Sequence, residues 1–134
     1  MKFVLDGSIT GSWCFADEST PASDAVLQIL RSGEAEVPSI WPTEVANAIL
    51  MAAKRGRITN TEEREFFSIL EALKIEIQPP SMALESLLSS ARMYGLTVYD
   101  ATYLDLAIRH SLPLATLDGD MRSAAQKAGV ELLP

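Results

Sequence analysis

Lys2-Phe3-Val4-Leu5-Asp6-Gly7-Ser8 opens the chain with a short apolar run of β-formers that ends on an acid. The same ending recurs in Thr97-Val98-Tyr99-Asp100 and in Ala115-Thr116-Leu117-Asp118. Parallel strands put their carboxyl ends on one edge of a sheet, and open α/β sheets bind ligands at that edge. If the strands are parallel, acids as far apart as positions 6 and 118 converge.

The surrounding sequence alternates between strand and helix patterns. Thr20–Arg31 reads as a helix: Thr20 can cap it, Pro21 suits its first turn, and Gly33 lies beyond its end. Glu36–Ile40 reads as a second strand, and Pro42 opens a helix that runs through Lys54 and stops at Gly56. Thr59-Asn60-Thr61-Glu62 fits a capping box, and the helix behind it offers Phe66, Ile69, Leu70 and Leu73 at helical spacing. Ile75–Gln78 reads as a third strand, closed by Pro79-Pro80. Ser81–Tyr94 is a helix with Gly95 as its stop. Thr97–Tyr99 is short enough to be strand or loop. Asp100–Arg109 is helical, Leu114–Leu117 a strand, Met121–Ala128 a helix stopped at Gly129, and Val130–Leu133 a last strand. Such alternation implies right-handed βαβ crossovers. The expectation is one α/β domain over residues 1–134, with a mostly parallel sheet of about five strands and helices on both faces.

Charge and composition narrow the function. The 134 residues are 48% hydrophobic and 22% charged, ordinary for a globular domain. A net charge of −7 argues against a basic groove that grips nucleic acid by charge alone. A nucleic-acid substrate would need metal ions to offset repulsion between phosphates and carboxylates. The single cysteine, Cys14, allows no internal disulfide and reads as a buried, inert thiol. The single histidine, His110, cannot build a zinc cage, and at the end of a helical run it faces the negative end of the macrodipole. The first apolar run is broken at once by Asp6, and Ala48–Ala53 is too short to span a bilayer. The expected location is the cytoplasm, with no membrane association.

Each acid has a plain structural reading. Asp100 can cap a helix, Glu44 can favour a positive helix end, and Asp6-Gly7-Ser8 and Asp118-Gly119-Asp120 can be turns. Together they point elsewhere, because like charges brought together destabilise a fold unless something positive sits between them. Hard oxygen ligands without histidine or thiolate select Mg²⁺ or Mn²⁺, and such ions serve phosphodiester hydrolysis. A phosphoacceptor receiver would want adjacent acids after the first strand and a late lysine. A haloacid-dehalogenase-type phosphatase would want a second aspartate where Ser8 stands.

The chain resembles PIN-domain proteins, and specifically VapC-type toxins of bacterial toxin–antitoxin pairs. The marks are Phe3-Val4-Leu5-Asp6-Gly7-Ser8; Glu44 with Asn47-Ala48-Ile49; Tyr99-Asp100-Ala101-Thr102-Tyr103-Leu104 with Leu106-Ala107; and Thr116-Leu117-Asp118 with Ala124-Ala125 before Gly129-Val130. They fall in order over essentially the whole chain. The resemblance implies a three-layer α/β/α fold and a Mg²⁺-dependent endoribonuclease, with Mn²⁺ able to substitute, restrained by a cognate antitoxin and often a homodimer. The family's four acids map onto Asp6, Glu44, Asp100 and Asp118, and its Ser/Thr before the last acid onto Thr116. Gly7 departs from the family's usual alanine or other small residue. Asn47 shares a helix face with Glu44 and can orient it, or simply face solvent. Ser8 can support Asp6, and Asp120 can add a ligand or favour the start of the last helix. Asp105 lies roughly 140° round the helix from Asp100 and so faces elsewhere. The alternatives are a non-catalytic PIN-fold binding module and an RNA-processing nuclease outside a toxin–antitoxin pair.

Overall fold

A computed structural model describes all residues from Met1 to Pro134. Five strands form one sheet: β1 (Lys2–Leu5), β2 (Glu34–Pro38), β3 (Ile75–Gln78), β4 (Leu114–Ala115) and β5 (Leu132–Leu133). Their order is β3-β2-β1-β4-β5, and every neighbouring pair is parallel. Phe3, Val4 and Leu5 of the central strand are all 0% exposed. Successive strand side chains point to opposite faces, so both faces of β1 are covered and the molecule has three layers.

The helices are α1 (Gly7–Cys14), α2 (Pro21–Arg31), α3 (Trp41–Lys54), α4 (Asn60–Glu71), α5 (Leu84–Tyr94), α6 (Val98–His110) and α7 (Gly119–Ala128). α6 supplies the largest share of the core, with Tyr103, Leu104, Leu106 and Ala107 buried. Local chemistry sets the ends where the sequence indicates. Thr59 and Glu62 form the reciprocal capping box of α4, and Thr20 forms one with Ser23 at α2. Gly95 and Gly129 end α5 and α7 at φ 65° and 73°, a backbone conformation that costs glycine nothing. No helix is long and apolar enough to cross a membrane.

Three local readings are corrected. Gly7–Cys14 is a helix, where Asp6-Gly7-Ser8 alone reads as a turn. Gly7, Ile9, Thr10 and Gly11 are poor helix formers, but Ile9 is fully buried in the main core and the Trp41 indole donates to Thr10 Oγ1. Tertiary packing wins over propensity. Thr97–Tyr99 is neither strand nor loop: Thr97 caps α6 through Oγ1, which accepts from the Asp100 N–H, and Val98 and Tyr99 form the first turn. Asp100 is therefore inside the helix and does not cap it. The second strand is shifted two residues toward the N-terminus of the expected Glu36–Ile40. The Glu34 N–H finds the Met1 carbonyl, and Ile40 has already turned helical at φ −76°, ψ −20°.

The topology places the site. The chain runs outward from β1 through β2 to β3, then returns to the other side of β1 with β4 and β5. This reversal lies between β1 and β4, and at such a point the connections diverge and leave a crevice beyond the strand ends.

Candidate active site

Asp6 and Asp118 follow the two strands that flank this crevice, while Glu44 and Asp100 stand in the first turns of α3 and α6. All four line one cleft of about 280 Å³. Its remaining lining is mostly small or apolar, including Gly11, Cys14, Phe15, Ile49 and Phe66, and contains no lysine or arginine.

Asp6 is the most buried of the four, at 5% exposed. Its Oδ2 accepts hydrogen bonds from Ser8 Oγ and Thr116 Oγ1, each at 2.7 Å, which leaves Oδ1 without a protein partner. Thr116 is fully buried and uses its hydroxyl twice: it donates to Asp6 and accepts from the Asp118 N–H at 3.1 Å. A hydroxyl can do both at once, so one side chain ties the ends of β1 and β4 together. Asp118 caps α7, with Oδ2 accepting from the Met121 N–H at 2.9 Å. Arg122, one turn on, donates to the Thr116 carbonyl at 2.9 Å.

Glu44 is held by Tyr103, whose hydroxyl donates to Oε1 at 2.6 Å. The Tyr103 ring is fully buried, and burial and the bond to Glu44 keep the phenol protonated, well above its ordinary value. Gly7 makes room for this contact: a Cβ there would lie 3.2 Å from the Tyr103 hydroxyl. Spacing alone does not reveal Tyr103, since it lies 59 residues from Glu44 and its role depends on how α6 packs against α3.

The electrostatics are those of an uncompensated acidic cluster. Burial, followed by the charges of Asp6 and Asp118, pushes the Asp100 carboxyl up from 3.8 to about 6. The carboxylates ring the cleft without closing on one point, and nowhere do three His, Cys, Asp or Glu side chains form a ready ligand set. Mg²⁺ does not require one, because it usually keeps several waters and takes one or two carboxylates directly. The donors present are the hard oxygens such an ion selects. The nearby thiol is a poor nucleophile: burial, then Glu18, pushes Cys14 up to about 11.

The remaining candidates separate clearly. Ser8 and Thr116 each donate a hydrogen bond to Asp6. Asn47 is exposed, and the group bonded to Glu44 is Tyr103. Asp120 is exposed in the first turn of α7 and is not among the residues lining the cleft. Asp105 faces away and pairs with Arg109 at 2.7 Å. His110 does end its helix, but its ring contacts the buried carboxylate of Glu36.

Fold and site define an α/β domain with an acidic cleft at its topological switch point. Residues 3–127 match the PIN domain family, and the chain belongs to that family. Its similarity is to the VapC type: Ribonuclease VapC3 of Pyrobaculum aerophilum is 32% identical over 131 residues, covering 95% of each chain. Two solved structures share the fold. PAE2754 from Pyrobaculum aerophilum has a TM-score of 0.70 at 23% identity, over 98% of this chain and 83% of its own. FitAcB from Neisseria gonorrhoeae has a TM-score of 0.61 at 20% identity, over 100% and 97%.

Proposed function

We propose that this protein is a Mg²⁺-dependent endoribonuclease and the toxin of a type II toxin–antitoxin pair. The observation that carries the reading is the convergence of Asp6, Glu44, Asp100 and Asp118 on one cleft with no cation in its lining. The relative named a ribonuclease supports RNA as the substrate.

Asp6, Asp100 and Asp118 would hold the ion, with Glu44 as a further ligand or as the acceptor of the attacking water's proton. A divalent ion there supplies charge for a phosphoryl oxygen and for the leaving 3′ oxygen, and makes nearby water more acidic. The chain's own residues do the positioning. Ser8 and Thr116 fix one oxygen of Asp6 and leave the other free, and Tyr103 holds the Glu44 carboxylate by Oε1. Water attack with the 3′ oxygen leaving gives 5′-phosphate and 3′-hydroxyl ends.

The antitoxin is proposed to cover the cleft, with an arginine or lysine pairing with the carboxylates. Leu50 on α3 and Phe67 on α4 are about half exposed and offer apolar docking area to it or to a second copy in a homodimer. Two experiments test this reading. Asp6→Asn and Asp100→Asn keep side-chain size while removing charge, and each is expected to abolish RNA cleavage by the purified protein with the fold intact. Co-expression of the small open reading frame beside this gene is expected to relieve growth arrest and to yield a copurifying complex. An active Asp100→Asn rejects the site. Failure of the neighbour to bind or protect rejects the toxin–antitoxin role but leaves the nuclease standing.

A further inference from the structure

We infer that Tyr99 is a stacking platform for a base of the RNA next to the bond that is cut; this rests on the nuclease reading of the cleft. Among the aromatic side chains only Phe67 and Tyr99 are exposed, and Tyr99 is the more so, at 60%. It directly precedes Asp100 in the first turn of α6. Residues four apart share a helix face, and side chains lean toward the helix N-terminus. Tyr99 therefore stands one turn outside Tyr103, whose hydroxyl is on Glu44. The exposed ring does not line the cleft itself, but it adjoins Asp100, which does.

A single exposed aromatic residue needs no explanation by itself. Here the charge of the molecule supplies one. Most nucleic-acid binders draw affinity from lysine and arginine on phosphates, but this chain carries −7 and its cleft has no basic lining. Beyond the ion, uncharged contacts outside the carboxylates are therefore a source of its hold on RNA. A π-face serves every base, so base–aromatic stacking is a contact of this kind that tolerates any sequence. Leu117, 37% exposed and next to Asp118, gives a second acid an apolar neighbour.

The test compares wild type with Tyr99→Ala, Tyr99→Phe and Tyr99→Trp on a single-stranded RNA oligonucleotide of mixed sequence. Binding in EDTA is measured beside kcat and KM in Mg²⁺, and thermal melts check that this surface substitution leaves the fold unchanged. Tyr99→Ala is expected to raise KM, and to weaken binding in EDTA, by about tenfold with kcat within about twofold. Phe and Trp should restore both, and replacing the bases with abasic sites should erase the difference between variants. An unchanged KM and affinity in Tyr99→Ala overturns the inference. So does Phe behaving like Ala, which would assign the effect to the hydroxyl. Loss of antitoxin binding with RNA binding intact would reassign the ring to the protein partner. If wild type cuts no RNA, the nuclease reading fails separately, and binding in EDTA still decides for or against the ring.

Discussion

Glu36 lies on the same sheet whose edge gathers the four acids of the cleft, and the two are treated in opposite ways. Glu36, on β2, is 4% exposed, and its two oxygens meet Lys2 at 3.1 Å and the His110 ring. Burial would raise its pKa, but the hydrogen bonds from His110 and Lys2 outweigh it and leave the carboxyl below its ordinary value. At the other end of α6, Asp100 faces Asp6, Asp118 and Glu44 with no cation, and is pushed up to about 6. One helix thus ends, through His110, on the neutralised carboxylate of β2 and carries an uncompensated one in its first turn. Glu36 joins β1, β2 and α6 and serves stability. The cleft holds charge that nothing in the protein neutralises, which is what the proposed metal site requires.

The contrast can be broken at either end. Glu36→Ala leaves Lys2 and the His110 ring without their shared carboxylate and is expected to cost about 2 kcal/mol or more in denaturant unfolding. Because the Glu36 pKa is lowered on folding, its contribution holds above the ordinary carboxylate value and is lost as pH falls below it. A Glu36→Ala protein as stable as wild type at pH 7 would remove the claim that this trio braces the fold.

Asp100→Asn should act with the opposite sign. An acid whose pKa is raised on folding penalises the fold once both states are ionised. Without metal, the variant should therefore be more stable than wild type above about pH 6, and the gain should fade as pH falls toward 3.8. For a partly exposed group screened by solvent, about 1 kcal/mol is expected, or roughly 3 °C in Tm. A metal-free Asp100→Asn that melts below wild type at pH 8 would contradict the account of the cleft as an uncompensated cluster.

Smaller still is the effect of the ion itself. Millimolar Mg²⁺ or Mn²⁺ should raise the Tm of wild type by about 1 °C through mass action, and that of Asp6→Asn by less. Glu36→Ala, though weaker overall, should keep the full wild-type shift. Equal shifts in wild type and Asp6→Asn would remove the metal site.

Sequence alone was most informative where local pattern coincides with function. Asp6 and Asp118 are legible because an acid at the end of a short apolar run marks the sheet edge, and Glu44 because it falls in a helix's first turn. Asp100 is legible as an acid of the cleft, but not as a residue inside α6, since Val98 and Tyr99 favour strands and only the Thr97 cap shows where the helix begins. Helix α1 is hidden by β-branched residues and glycines that packing overrides. Tyr103 on Glu44 and His110 on Glu36 span 59 and 74 residues. No local periodicity encodes such contacts, although a glutamate inside the apolar run Ala35–Val37 is a signal that it has a partner.

The most direct test of the central claim is the chemistry of the cut ends. Purified protein is incubated with single-stranded RNA in Mg²⁺ and, in parallel, in EDTA, and the termini are determined. The account predicts cleavage only with the ion, leaving 5′-phosphate and 3′-hydroxyl ends, and a loss of about 10³-fold, roughly 4 kcal/mol of transition-state stabilisation, in Asp6→Asn. Full cleavage in EDTA, or 2′,3′-cyclic phosphate ends from attack by the RNA's own 2′-hydroxyl, would contradict it.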